Sequence, residues 1–220
     1  NFKRGIELLK RSLSLRETCS SYSQLVKAYI YQGDILTAEK IKNEGISFCN
    51  NLRDWYGWSL HVPIMKATAL EAQGNLEAAE KHWRYRLKNA KLKKTEIPAH
   101  FIVGRTELGI NLMKQGRLLE AELEFRVATK EAIAHFGKDS EGTGMRIVAL
   151  GHVLQEQGRL ADAQKLLEAG VRTLHKSELP VDSYLTGNAK MKYGDILVDQ
   201  GKYSQALKVY ESAEEALAKN

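Results

Sequence analysis

Leu108–Ala121 reads LGINLMKQGRLLEA, and Leu150–Ala163 reads LGHVLQEQGRLADA. The two stretches share the pattern L-G-x-x-L-x-x-Q-G-R-L-x-x-A and stand 42 residues apart. Working outward, the pair Gln-Gly occurs five times, and its glycines, Gly33, Gly74, Gly116, Gly158 and Gly201, are spaced 41, 42, 42 and 43 residues apart. Four residues before each glycine stands Tyr29, Leu70, Leu112, Leu154 or Leu197. Two residues after it comes Ile35, Leu76, Leu118, Leu160 or Tyr203, and five after it always alanine: Ala38, Ala79, Ala121, Ala163, Ala206. Agreement at this many columns makes the chain a tandem repeat, which decides the architecture before any residue-level reading.

Each column has a physical reason. Apolar residues precede each glycine at helical spacing, as in Leu108, Leu112 and Met113, and follow it likewise, as in Leu160, Ala163, Leu166 and Leu167. Glycine takes the left-handed conformation that ends a helix, and a second helix starts about two residues on. The unit is therefore a helical hairpin. The fixed alanine reads as the close crossing of the two helices, with Gly109, Gly151 and Gly194, seven residues before the turn, expected to pack against it. Strand-like alternation is absent. Repeat 2 departs most: it carries Lys66 and Ala67 in its first helix, and Pro63 there should kink or restart the helix. Asp54–Trp58 then reads as a separate turn or helix end.

L-G-x-x-L-x-x-Q-G-R-L-x-x-A resembles the tetratricopeptide repeat. The resemblance covers five repeats, about 19–52, 60–94, 102–136, 144–177 and 187–220, and the segment 1–16 resembles the second helix of a preceding repeat. A period near 42 is similar to the kinesin-light-chain-like subgroup, and Phe136–Ser140 (FGKDS) resembles its inter-repeat linker without the prolines. The fold this implies is an all-α, right-handed superhelical solenoid of five hairpins plus one orphan helix, forming one continuous array. Bacterial arrays of this kind often adjoin a caspase-like CHAT peptidase or a signalling NTPase.

The 220 residues are 43% hydrophobic and 27% charged, ample for a packed core, and no apolar run approaches the length of a membrane span. The chain starts at Asn1 rather than Met and ends on a helix rich in apolar residues, so it is expected to be a piece of a longer protein or to pair through exposed ends with another copy. Localisation is left open, with the cytoplasm the expected place. Two cysteines, Cys19 and Cys49, lie near the two ends of the first hairpin. A bridge between them is sterically conceivable, but reduced, partly buried thiols are the expectation in so cysteine-poor a chain.

No catalytic motif is present: H-E-x-x-H, G-x-S-x-G, C-x-x-C and the phosphate-loop pattern are all missing. Gly142-Thr143-Gly144 follows no strand and falls between repeats, so it is not read as a phosphate loop. The six histidines are scattered, with no pair at helical spacing to hold a metal. No enzyme activity, cofactor or metal is therefore expected. Lys81–Lys94 (KHWRYRLKNAKLKK) holds seven Lys/Arg and no acid, and without these charges the formal net charge of +6 becomes −1. Lys81, Arg84, Lys88 and Lys91 form a basic stripe opposite Leu76, Ala79, Trp83, Leu87 and Ala90. That stripe is either a solvated face or a patch for an acidic partner or nucleic acid, with Trp83 in the packing register rather than free to stack on bases.

The resemblance implies that first helices line a concave binding groove, at positions 13, 10, 6 and 3 before each turn glycine. These are Ser20, Ser23, Lys27 and Ile30; His61, Ile64, Thr68 and Glu71; Val103, Thr106, Ile110 and Met113; Met145, Val148, His152 and Gln155; and Asn188, Met191, Asp195 and Val198. Repeats 3 to 5 present an apolar groove with three methionines, which suit an adaptable surface. The side chains that clamp a terminal carboxylate in some family members, and the paired asparagines of kinesin light chains, are missing. The alternative is that these residues pack against neighbouring helices. The functional expectation is a protein-interaction scaffold for a protein or peptide. Two rivals stand beside it: a regulatory arm of a larger enzyme such as a CHAT protease, and a nucleic-acid adaptor using Lys81–Lys94.

Overall fold

A computed structural model of the protein describes residues 2–51, 61–92, 98–177 and 184–218, without the side chains of 2–3, 89–92 and 98. The described residues form eleven helices and no strand: α1 (Phe2–Leu15), α2 (Cys19–Gln32), α3 (Ile35–Asn51), α4 (Val62–Ala72), α5 (Leu76–Leu92), α6 (Pro98–Lys114), α7 (Leu118–Phe136), α8 (Glu141–Glu156), α9 (Leu160–Lys176), α10 (Tyr184–Asp199) and α11 (Tyr203–Ala218). Two compact units divide the chain after residue 96. In the first, α2–α3 and α4–α5 are hairpins, α1 covers α2, and α4 lies against both helices of the preceding hairpin. In the second, the hairpins are α6–α7, α8–α9 and α10–α11, with α7 on α8, α9 on α10, and α8 touching both α6 and α10. This is an all-α helical-repeat fold. Segment 54–58 lies outside the described residues.

All five turn glycines have positive φ, from 72° to 83°. At each, the glycine N–H bonds the carbonyl three residues back, and the next N–H bonds the carbonyl four residues before the glycine, as in Gly158 to Gln155 (2.8 Å) and Arg159 to Leu154 (2.9 Å). This double closure ties off the orphan carbonyls of the helix end. It also explains the large apolar column, whose residues all sit at the closing turn.

The residue after the glycine sorts the repeats. Asp34 and Asn75 cap the following helix, accepting from Thr37 N–H at 3.0 Å and Ala78 N–H at 3.3 Å. Arg159 and Lys202 reach back to the preceding hairpin instead, Arg159 to Glu122 at 3.1 Å and Lys202 to Gln164 at 2.8 Å. The glutamine column does the same through the backbone. Gln157 donates to the carbonyl of Leu118 at 3.2 Å and Gln200 to that of Leu160 at 3.0 Å. The turns at Gly158 and Gly201 are thereby fastened to the first residue of the preceding hairpin's second helix.

The fixed alanines are buried, 0–2% exposed, but Gly109, Gly151 and Gly194 do not pack on them. They face the residue four further on: Phe125, Leu167 and Tyr210. Antiparallel helices meet at equal distances from their turn, so a residue seven before the glycine lies one turn beyond an alanine five after it. The α8–α9 hairpin is as close farther out, at Gly144 and Gly170, where a Cβ on Gly170 would stand 3.2 Å from the Val148 backbone nitrogen. Gly45, Ala128 and Ala213 hold the matching position, whereas repeat 2 has Arg86 there, buried at 3% exposure.

Pro63 lies in the first turn of α4, where its missing N–H costs no bond. Helix α4 has 11 residues against 14 to 17 for the other first helices of the hairpins. Gly142-Thr143-Gly144 belongs to the first turns of α8 rather than to a linker, with Ser140 capping Thr143 N–H at 3.2 Å. The expectation of free thiols is overturned. Cys19 opens α2, Cys49 closes α3, and the hairpin brings their Cα atoms to 5.6 Å, where they form a disulfide. The bridge is buried among Tyr22, Val26, Val62 and Met65.

Candidate interaction surface

The expected groove stripe falls on the first helices of the hairpins, and the two units carry it differently. In the first unit, Ser23 is buried, donating to Ser20 O at 2.8 Å, and its hydroxyl lies 3.2 Å from Nδ1 of His61. Lys27 is half-buried, and Ile30 packs on the core clusters around Tyr22 and Leu25 rather than facing outward. Thr68 bonds back to Ile64 O, and Glu71 accepts from the Trp83 indole N–H at 2.7 Å.

In the second unit, α6, α8 and α10 lie side by side. Val103, Thr106, Ile110 and Met113 on α6 are half-buried, as are Met145, Val148 and His152 on α8. Val148 is drawn into the α8–α9 contact, lying against Gly170. On α10 the stripe opens to water: Met191 is 39% and Val198 38% exposed. Asp195 is half-buried between them and accepts from the Tyr210 hydroxyl at 2.9 Å. Burial and this bond push the tyrosine up to about 12.

Polar bridges join α8 to α10 beside this strip, from His152 and Gln155 of the expected stripe to Lys192 and Asp199, which the sequence reading did not single out. Lys192 Nζ lies 3.2 Å from His152 Nε2, and Gln155 donates to Asp199 at 2.5 Å. An ammonium only donates, so the contact requires an unprotonated Nε2. Burial first, then Lys192, hold His152 below the ordinary histidine range against the opposing pull of Glu156 and Asp195. Glu156 lies 3.4 Å from the same nitrogen and would take over if His152 gained a proton. A histidine with a depressed folded value binds its proton more weakly folded than unfolded. Its contribution to stability is full above the unfolded value of about 6.5 and is lost as pH falls below it. Thermal melts of the second unit should therefore shift downward between about pH 7 and 5. His152→Gln should flatten that slope; an unchanged slope would remove His152 from the account.

The basic stripe is only partly available. Lys81, Arg84 and Lys88 are exposed, but Arg84 pairs with Glu80 at 2.7 Å. The Lys91 and Ala90 side chains and residues 93–94 lie outside the described residues. Trp83 is 1% exposed, in the packing register the spacing gave it, while Leu76 and Leu87 are half-buried beside it. Among the described residues, no group of three His, Cys, Asp or Glu side chains is placed to hold a metal ion, and no helix is long and apolar enough to cross a membrane.

Antiparallel hairpins stacked by their second helices define the class as an all-α helical-repeat array. The tetratricopeptide repeat family model matches residues 148–220, and the chain as a whole has the fold of a tetratricopeptide-repeat array. The structure resembles BtubC (BKLC) from P. vanneervenii, with TM-score 0.70 and 16% identity over 99% of this chain and 88% of that one. A crystal structure of Podosopora anserina kinesin-light-chain-type, nearly identical TPR-like repeats gives TM-score 0.65 and 16% identity over 91% of this chain and 95% of the other. The signal-transduction ATPase of Pyrococcus horikoshii with a tetratricopeptide repeat sensor gives 0.69 and 16%, covering 99% of this chain but 34% of that one. Comparison with curated protein sequences finds no match.

Proposed function

We propose that the chain is a non-catalytic scaffold that binds a protein or peptide segment along the α6–α8–α10 face of its second unit. The tetratricopeptide fold generally serves protein–protein interaction, which supports the class of function. The observation that carries the surface is the apolar strip that α10 leaves in water at Met191 and Val198, continued by half-buried Met145, Ile110, Met113 and Val103. Methionines at such a strip adapt to a partner's shape, and the flanking His152, Lys192 and Asp199 give it polar edges that orient a ligand. The scaffold needs no chemistry beyond apolar burial and charge placement.

Peptides selected from a random library on the intact chain test this. Met191→Asp and Val198→Asp should each weaken the selected peptides at least about tenfold, a loss of about 1.4 kcal/mol. Leu36→Asp, at an exposed position of α3, should leave them unchanged. Peptides that bind all three variants alike would place recognition elsewhere.

A further inference from the structure

We propose that the outer face of α7 is a second docking surface, whose occupant is an amphipathic helix of a partner protein, apolar at both ends of its face and acidic between. The face on α7 comprises Leu119, Leu123, Arg126, Lys130 and Ile133, all exposed. At 3.6 residues per turn they fall within about 80° of arc and run about 21 Å along the helix. Helix α7 packs on α6 before it and on α8 after it, so this face belongs to the interior of the chain.

The other repeats supply the comparison. Leu123 stands seven residues after its turn glycine, where the other four repeats carry Lys40, Lys81, Lys165 and Lys208, all exposed. Ile133 stands 17 after it, where the others carry Asn50, Lys91, His175 and Ala218. Water is the ordinary neighbour of this face, yet on α7 it meets Leu123 at 61% and Ile133 at 46% exposure. Leu119, 78% exposed, extends the strip without defining it, because Leu36 holds the same place in repeat 1. A single exposed apolar residue needs no explanation, but three in line at the spacing of a helix–helix seam do.

Charge selects the occupant. In the middle of the strip Arg126 shares the Glu122 carboxylate with Arg159, and Lys130 has no bond to any described residue. A partner helix therefore gains most from carboxylates at its centre and apolar anchors on either side. Beside the strip, Arg126, Thr129, Lys130 and Ile133 form with Leu150 of α8 a cleft of about 320 Å³ that can take a partner side chain. A second copy of the same face fits poorly: antiparallel, with Leu119 on Ile133, Arg126 falls on its own copy. A bilayer surface also fits poorly, because interfacial helices keep their cations on the polar face, and here they stand on the centre line.

A displayed library of helical peptides, four turns long with the face varied among Leu, Glu and Lys, is selected on the intact chain. Peptides with leucine at both ends and glutamate in the middle should dominate. Leu123→Lys installs what the other four repeats carry, so it should leave the melting temperature unchanged while weakening these peptides at least about tenfold. Lys130→Glu should weaken them likewise and transfer the preference to peptides with lysine in the middle. Met191→Asp should leave them unchanged, which separates this surface from the α6–α8–α10 face. A selection without acidic preference, or one whose peptides survive Leu123→Lys, overturns the proposal. So does flotation of the wild type with phosphatidylserine vesicles when no peptide is selected, which would make the occupant a lipid surface. Self-association in light scattering that Leu123→Lys abolishes would make it a second copy and overturns the proposal too.

Discussion

Reduction of the Cys19–Cys49 bridge should lower the unfolding temperature of the first unit and leave the second unchanged. The bond closes a separation of 30 residues, fastening the first residue of α2 to the end of α3. Removing that constraint from the unfolded chain costs about 3–4 kcal/mol. For a unit of this size the loss corresponds to about 10–20 °C. All three tryptophans, Trp55, Trp58 and Trp83, lie before residue 97, so tryptophan emission follows the first unit alone. A melt monitored by emission should move on adding reductant, and the Cys19→Ala/Cys49→Ala variant should match the reduced protein without further response. Identical melts with and without reductant would mean the thiols are free. Disulfides persist in oxidising compartments and are rare in a mesophilic cytosol. The oxidation state of this pair in the cell therefore reports the compartment that composition left open.

Gly170→Leu should destabilise the second unit by about 3 kcal/mol or more. At this crossing even a Cβ would stand 2.6 Å from Val148 Cγ2, 3.2 Å from the Val148 nitrogen and 3.4 Å from Gly144 O. The side-chain atom can move, but the backbone of α8 moves only with the whole helix, so a bulky residue must pry the hairpin open. Ala161→Leu, on the exposed side of α9, is the control and should change the melting temperature little. Hydrogen exchange on α8 and α9 gives a second reading, because protection in both helices should fall together. Equal melting temperatures for the two variants would show that the hairpin has room for a side chain at Gly170.

The hairpin and its turn were legible in the sequence because a left-handed residue accepts few substitutes, so glycine recurs at every repeat. The glutamine beside it was legible as a pattern but not as a contact. Two of its acceptors, Leu118 O and Leu160 O, are main-chain atoms that leave no mark in the sequence, and the Glu122 carboxylate, which Gln157 also reaches, stands at a position the repeat pattern does not fix. The crossing column escaped notice because it is filled by Gly45, Arg86, Ala128, Gly170 and Ala213, five residues with no common identity. The bridge depended on two helix ends reaching the same level, which spacing suggests and only coordinates decide. For the candidate surface, a stripe at helical spacing is narrower than the face a helix actually buries. Ile30 and Val148, at the edge of that face, went into packing, while Met191 and Val198 remained in water. Lys192, which adds to burial in holding His152 below the ordinary histidine range, lies one position off the stripe, and no periodicity would have selected it.

The bonds from Gln157 to Leu118 O and from Gln200 to Leu160 O have a consequence for how such a chain changes length. A side chain that reads a partner's side chain restricts which neighbour can follow which. The bond from Gln200 reads a peptide carbonyl that any hairpin offers at the start of its second helix, whereas Gln157 divides its donor between such a carbonyl and the Glu122 carboxylate at 2.9 Å. The carbonyl part of the joint is generic, like a thread cut to one gauge, and the side-chain pairs Arg159–Glu122 and Lys202–Gln164 beside it are not. Duplication or loss of a whole segment of about 42 residues around the Gly158 and Gly201 turns would present the same carbonyl to whichever hairpin arrived next. Recombination could lengthen, shorten or reorder the chain in whole hairpins, leaving the outward-facing residues as the part that selection has to settle afresh.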